Sequence, residues 1–78
     1  MNFKKNKKSP IGIFDSGIGG LSIWQEINKL LPNESTIYLA DSLNSPYGEK
    51  SKEQIIDFSV KNTELLIQLG CKIIVVAC

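Results

Sequence analysis

The apolar positions of this chain alternate between short unbroken runs and longer stripes of helical spacing. Ile11-Gly12-Ile13-Phe14 is a run of the first kind, entered from Pro10 and closed by Asp15-Ser16-Gly17; so short an apolar stretch predicts a buried strand. Gly17, Gly19 and Gly20 form a turn, after which a helix is predicted from about Leu21 to Leu31. Its stripe is Ile23, Ile27, Leu30 and Leu31, with Trp24 beside it. Pro32-Asn33 ends it, because proline cannot extend the hydrogen-bond ladder and disfavours helical geometry in the residue before it. Thr36-Ile37-Tyr38-Leu39-Ala40 reads as a second strand, followed by Asp41, Ser42 and a loop through Pro46-Tyr47-Gly48. Ser51-Lys52-Glu53-Gln54 has capping-box spacing and marks a second helix start. That helix runs to about Leu69, with Ile55, Phe58, Leu65, Leu66 and Leu69 on its packing face and Gly70 as a left-handed exit. Asn62 falls on the same stripe and weakens its middle. The run from Lys72 to Cys78 reads as a third strand, buried and parallel.

Strands and helices in strict alternation predict an α/β fold, a βαβαβ unit whose three strands pair in parallel through right-handed crossovers. All three carboxyl ends then share one edge, which gathers Asp15, Ser16, Asp41, Ser42 and Cys78. If the first strand lies between the other two, Asp15 and Cys78 become neighbours. The periodicity leaves that order open. It shows no internal repeat, low-complexity tract or linker.

Composition narrows the class. With 78 residues, 42% of them hydrophobic, the chain is of the soluble globular type, one domain at most, and at the low end for a self-sufficient core. Nine basic residues against eight acidic ones give a net charge of +1, so no field favours nucleic acid or an acidic membrane surface. Basic charge concentrates in Lys4, Lys5, Lys7 and Lys8, and residues 1–9 are expected to form a solvated tail. That segment lacks the apolar stretch of a signal peptide, and no run approaches membrane-spanning length. The expected compartment is the cytoplasm.

The cysteines agree with a reducing compartment. Cys71 and Cys78 sit at opposite ends of the third strand, about 23 Å apart at about 3.3 Å per residue, which is beyond disulfide reach. Their spacing does not suit a zinc knuckle, and the chain has no histidine to complete a metal site. Cys71 is expected as a small packing residue. Cys78 has that same simple reading, set against a functional one: parallel strands present reactive groups at their carboxyl ends.

The glycine turn admits several motifs. Gly17-Ile18-Gly19-Gly20 between strand and helix partly fits a dinucleotide fingerprint, but Ser22 occupies the third glycine position. No Lys-Ser or Lys-Thr follows at P-loop spacing. What remains is a tight strand-to-helix turn needing unusual backbone angles, or a set of helix N-terminal amides able to hold a carboxylate.

The combination is more specific than its parts. The stretch from Pro10 to Leu21 (PIGIFDSGIGGL), then Tyr38-Leu39-Ala40-Asp41, Pro46-Tyr47-Gly48, Ser51-Lys52-Glu53 and Val75-Val76-Ala77-Cys78 together resemble the amino-terminal portion of bacterial glutamate racemases. The resemblance spans about Ser9 to Cys78. It implies that residues 10–78 form part of a racemase domain, with a second domain absent from this sequence. It implies that Cys78 is one of two cysteines acting as proton donor and acceptor on opposite faces of the substrate α-carbon, assisted by Asp15. Asp15, Ser16, Tyr47 and Gly48 are then expected to line the glutamate pocket. The implied activity interconverts L- and D-glutamate for peptidoglycan of the cell wall, with no cofactor and no metal, and leaves room for a homo-oligomer of the parent. Inversion needs a base on one face and an acid on the other, so the 78-residue chain alone is expected to be inactive. Two alternatives stand beside this: a non-catalytic remnant or interaction module of the same fold, and a flavodoxin-like nucleotide-binding domain, which the glycine spacing disfavours.

Overall fold

The computed structural model describes residues 6–15, 19–44 and 47–77. In chain order they form strand β1 (Ile11–Asp15), helix α1 (Gly20–Leu30), strand β2 (Thr36–Ala40), two single turns of 3-10 helix (Ser42–Asn44 and Tyr47–Glu49), helix α2 (Lys52–Gln68) and strand β3 (Ile73–Val76). The three strands make one parallel sheet in the order β2-β1-β3, the α/β arrangement that the alternation predicts. Ile11 to Asp15 pair with Thr36 to Ala40 on one side, and Ile11 to Phe14 pair with Ile73 to Val76 on the other.

Every residue of β1 is buried, as its unbroken apolar run requires. Its side chains alternate between the two faces of the sheet. One face carries Phe14, which forms the core with Leu66 and Cys71 while Ile37, Leu39 and Ile74 pack around it. Gly12 makes that approach possible: a Cβ there would lie 2.8 Å from Cys71 Sγ and 3.2 Å from Leu66 Cδ1. Cys71 is accordingly a buried packing thiol, as its position before the strand suggests. The other face carries Asp15 and Tyr38 and receives α1.

The ends of α2 follow local rules. Ser51 Oγ accepts from the Gln54 amide at 3.2 Å and the Ser51 amide donates to Gln54 Oε1 at 2.9 Å, completing the capping box. Gly70 has φ +88°, the left-handed exit that only glycine adopts without strain.

The packing faces depart from the periodic stripes. On α1, Ile23, Leu30 and Leu31 are exposed, while Trp24, Ile27 and Asn28 are half-buried. Polar hooks set the rotation of the helix. The Trp24 ring stacks on Tyr38 with centroids 6.1 Å apart, its Nε1 donates to Thr36 Oγ1 at 2.9 Å, and the Thr36 hydroxyl donates to Asn28 Oδ1 at 3.4 Å. On α2, Leu66 is buried but Leu65 and Leu69 are exposed. Asn62, which seemed to interrupt the stripe, is half-buried because its Nδ2 donates to Asp41 Oδ2 at 3.1 Å. β3 is less covered than its apolar run predicts. It is an edge strand, with Ile73 55% and Val76 58% exposed, because the sheet order leaves its outer side without a partner strand among the described residues.

At the amino end, Asn6 and Ser9 close a small turn through Ser9 N to Asn6 O at 3.0 Å and Asn6 N to Ser9 Oγ at 2.9 Å. Lys72 Nζ reaches both the Lys7 carbonyl and Glu34 Oε2 at 2.7 Å, tying the start of β3 to the segments that precede β1 and β2. No described helix is long and apolar enough to cross a membrane.

Candidate functional site

The chain path reverses direction at β1: α1 carries it to β2 on one side, and α2 carries it back past β1 to β3 on the other. In open parallel sheets such a reversal leaves a crevice outside the carboxyl ends of the strands, where ligands bind. Asp15, the last residue of β1, stands at that edge.

The Asp15 side chain is fully buried. Its Oδ2 accepts the Gly20 backbone N–H at 2.7 Å and the Tyr38 hydroxyl at 2.5 Å. The turn residues are shaped for this contact. Gly19, the residue capping α1, has φ +91°, and a Cβ at Gly20 would lie 2.7 Å from Asp15 Cγ. The anion that the first amide of α1 holds is therefore the chain's own carboxylate rather than a ligand's, and the tight strand-to-helix turn is the reading of the glycines that this contact supports.

Tyr38 stands out among the titratable groups of the described residues. The hydrogen bond to Asp15, then burial, then the Asp15 charge together push its phenol from 10.0 up to about 12. Sequence reasoning did not pick Tyr38 as a site residue. The signal lies in the register: Tyr38 pairs with Ile13 and Ala40 with Asp15, so a side chain as long as tyrosine on that face reaches diagonally to Asp15.

Asp41 links this edge to the following loop. Its amide donates to the Asp15 carbonyl at 3.3 Å, and its carboxylate accepts Asn44 Nδ2 at 2.8 Å and Asn62 Nδ2 at 3.1 Å. It thus ties the first 3-10 turn to β1 and α2, and in the second 3-10 turn Gly48 is exposed with open space around its Cα. On the β3 side, the Ala77 amide donates to the Phe14 carbonyl at 2.9 Å, keeping β3 bound to β1 as far as Ala77. Of the other expected site residues, Ser16 and Cys78 lie outside the described residues, as does the side chain of Tyr47. Among the described residues no three His, Cys, Asp or Glu side chains gather at metal-binding distance.

A shallow apolar depression of about 240 Å³ lies elsewhere, lined by Phe14, Ser59, Val60, Thr63, Glu64 and Val76. It is on the α2 side of the sheet, whereas the Asp15 side chain is on the α1 side.

No protein-family model matches the chain. Curated relatives do. The glutamate racemase of Ralstonia pickettii (strain 12J) is 52% identical over 71 residues, which is 91% of this chain and 25% of that protein. The glutamate racemase of Ectopseudomonas mendocina (strain ymp) is 55% identical over 71 residues, 91% of this chain and 27% of that protein. The glutamate racemase of Corynebacterium diphtheriae is 53% identical over 70 residues, 90% of this chain and 26% of that protein. By sequence, then, the chain is similar to glutamate racemases, about half identical to them over about nine-tenths of its own length, and spans about a quarter of the length of the relatives it matches.

Proposed function

We propose that this chain supplies one wall of a glutamate racemase active site, and that the whole protein interconverts L- and D-glutamate in the cytoplasm, without a cofactor, to provide D-glutamate for peptidoglycan. The observation that carries this reading is Asp15, a buried carboxylate at the carboxyl end of the central strand where the chain path reverses, in a sequence about half identical to glutamate racemases. Cys78, the residue after Ala77, is the thiol of one face. It removes or returns the α-proton while a second group, outside this sequence, serves the other face. An ordinary thiol titrates near about 8.5, and a nearby negative charge would raise it further. Asp15 therefore does not activate Cys78 by charge; it accepts or relays a proton, or holds the substrate ammonium. Ser16, Tyr47 and Gly48 complete the pocket wall for glutamate.

The test is a chimaera in which this chain replaces the matching quarter of the Ralstonia pickettii enzyme. It should racemise glutamate, followed by circular dichroism of the amino acid, and Cys78→Ser should lower turnover by about 10²-fold or more. Full activity of the Cys78→Ser variant would overturn the assignment of the thiol. A folded but inactive unsubstituted chimaera would favour the non-catalytic module, in which Asp15 only caps α1.

A further inference from the structure

We propose that Tyr38 is a positioning residue of this site, its hydroxyl fixing the carboxylate of Asp15 at the carboxyl end of β1; the inference rests on the racemase reading above. Two donors from different elements converge on a single oxygen. Gly20 N–H comes from the first turn of α1 and Tyr38 O–H from β2, and both meet Asp15 Oδ2. Capping the helix requires only the first of them. One donor alone leaves a carboxylate able to turn about its terminal torsion, which is broad in energy. A second donor approaching the same oxygen from a different direction fixes the plane.

Tyr38 is itself held. Its ring stacks at 19° on Trp24, and Trp24 is tied through Nε1 to Thr36, two residues back along β2. This brace runs from α1 through two aromatic rings to the buried carboxylate, and its last link depends on the hydroxyl alone. A phenylalanine would fill the same volume and stack on the same indole, yet make no contact of this kind with Asp15. With its phenol pushed up to about 12, Tyr38 stays a donor at every working pH. Proton transfer is sensitive to placement, and a misplacement of about 1 Å can cost about 10²-fold in rate. Loss of this one orienting bond should cost less than that.

The experiment uses the same chimaera with Tyr38→Phe, Asp15→Asn, the two together, and Cys71→Ala as a packing control. Tyr38→Phe is expected to lower kcat by roughly tenfold while KM for glutamate stays within about twofold. In the Asp15→Asn background the same change should cost nothing further, because residues that act through one another are not additive. Cys71→Ala, on the opposite face of the sheet, should lower the melting temperature with kcat little changed. An active parent chimaera whose Tyr38→Phe variant keeps its kcat, or loses it equally in the Asp15→Asn background, overturns this inference alone. Loss of the folded far-UV spectrum in Tyr38→Phe overturns it as well, by making the hydroxyl a determinant of folding. A folded parent chimaera without activity overturns the racemase reading, and this inference with it.

Discussion

Burying Asp15 without partners would cost several kcal/mol, and the donors from Gly20 and Tyr38 at Oδ2 offset part of that cost. The same pairing links stability to alkaline pH through Tyr38. Its folded pKa, about 12, lies above its ordinary value of 10.0, so the hydroxyl contributes fully below pH 10 and its contribution fades as pH rises through about 12. In the chain carrying Tyr47→Phe, which leaves Tyr38 as the one tyrosine, the phenolate absorbance should titrate near 12. Asp15→Asn should bring the midpoint down toward 10; an unmoved midpoint would show that the hydrogen bond does not form. Asp15 was legible as a candidate because it ends an apolar run at a glycine turn. Tyr38 was not, because its relation to Asp15 exists only once β1 and β2 are in register, and nothing local in Thr36-Ile37-Tyr38-Leu39-Ala40 reports that register.

Among the elements, legibility follows the range of the forces involved. The start of α2 and the exit at Gly70 were readable, since a capping box and a left-handed glycine are closed within a few residues. Ser51→Ala removes the hydroxyl that receives the Gln54 amide and should cost about 1 kcal/mol, seen as a lowered urea midpoint with unchanged slope. An unchanged midpoint would show that the box adds nothing. The rotation of α1 was misread because its stripe of Ile23, Leu30 and Leu31 competes with Trp24 and Asn28, whose hydrogen-bonding partner, Thr36, belongs to β2. Asn62 looked like a flaw in α2 for the same reason: its partner is Asp41, 21 positions away.

For the molecule as a whole, β3 decides behaviour in solution. Ile73 and Val76 are more than half exposed, and Val60, Leu65 and Leu69 of the α2 region are exposed as well. An open apolar edge is a template for pairing with another chain. The 78-residue chain should therefore self-associate at about 0.1 mM, and Ile73→Lys should return it toward monomer in sedimentation velocity; a monomeric unsubstituted chain would show that the edge is adequately protected. The α/β class was legible from alternation alone. The exposure of Ile73 and Val76 was not, because an apolar run reads the same whether its side chains are covered or open, and the β2-β1-β3 order is what leaves β3 at the edge. That order also bears on synthesis. β1 emerges from the ribosome first, and its bonds to β2 can form as soon as β2 follows. The other side of the same strand must wait until β3 has been made, when the Lys72 amide reaches the Pro10 carbonyl and the Ala77 amide the Phe14 carbonyl. The strand that carries Asp15 is thus the first made but is paired on both sides only after the other two, and a nascent chain that stalls before β3 would hold one edge of that strand open to chaperones or to the β1 of a neighbouring polysome product.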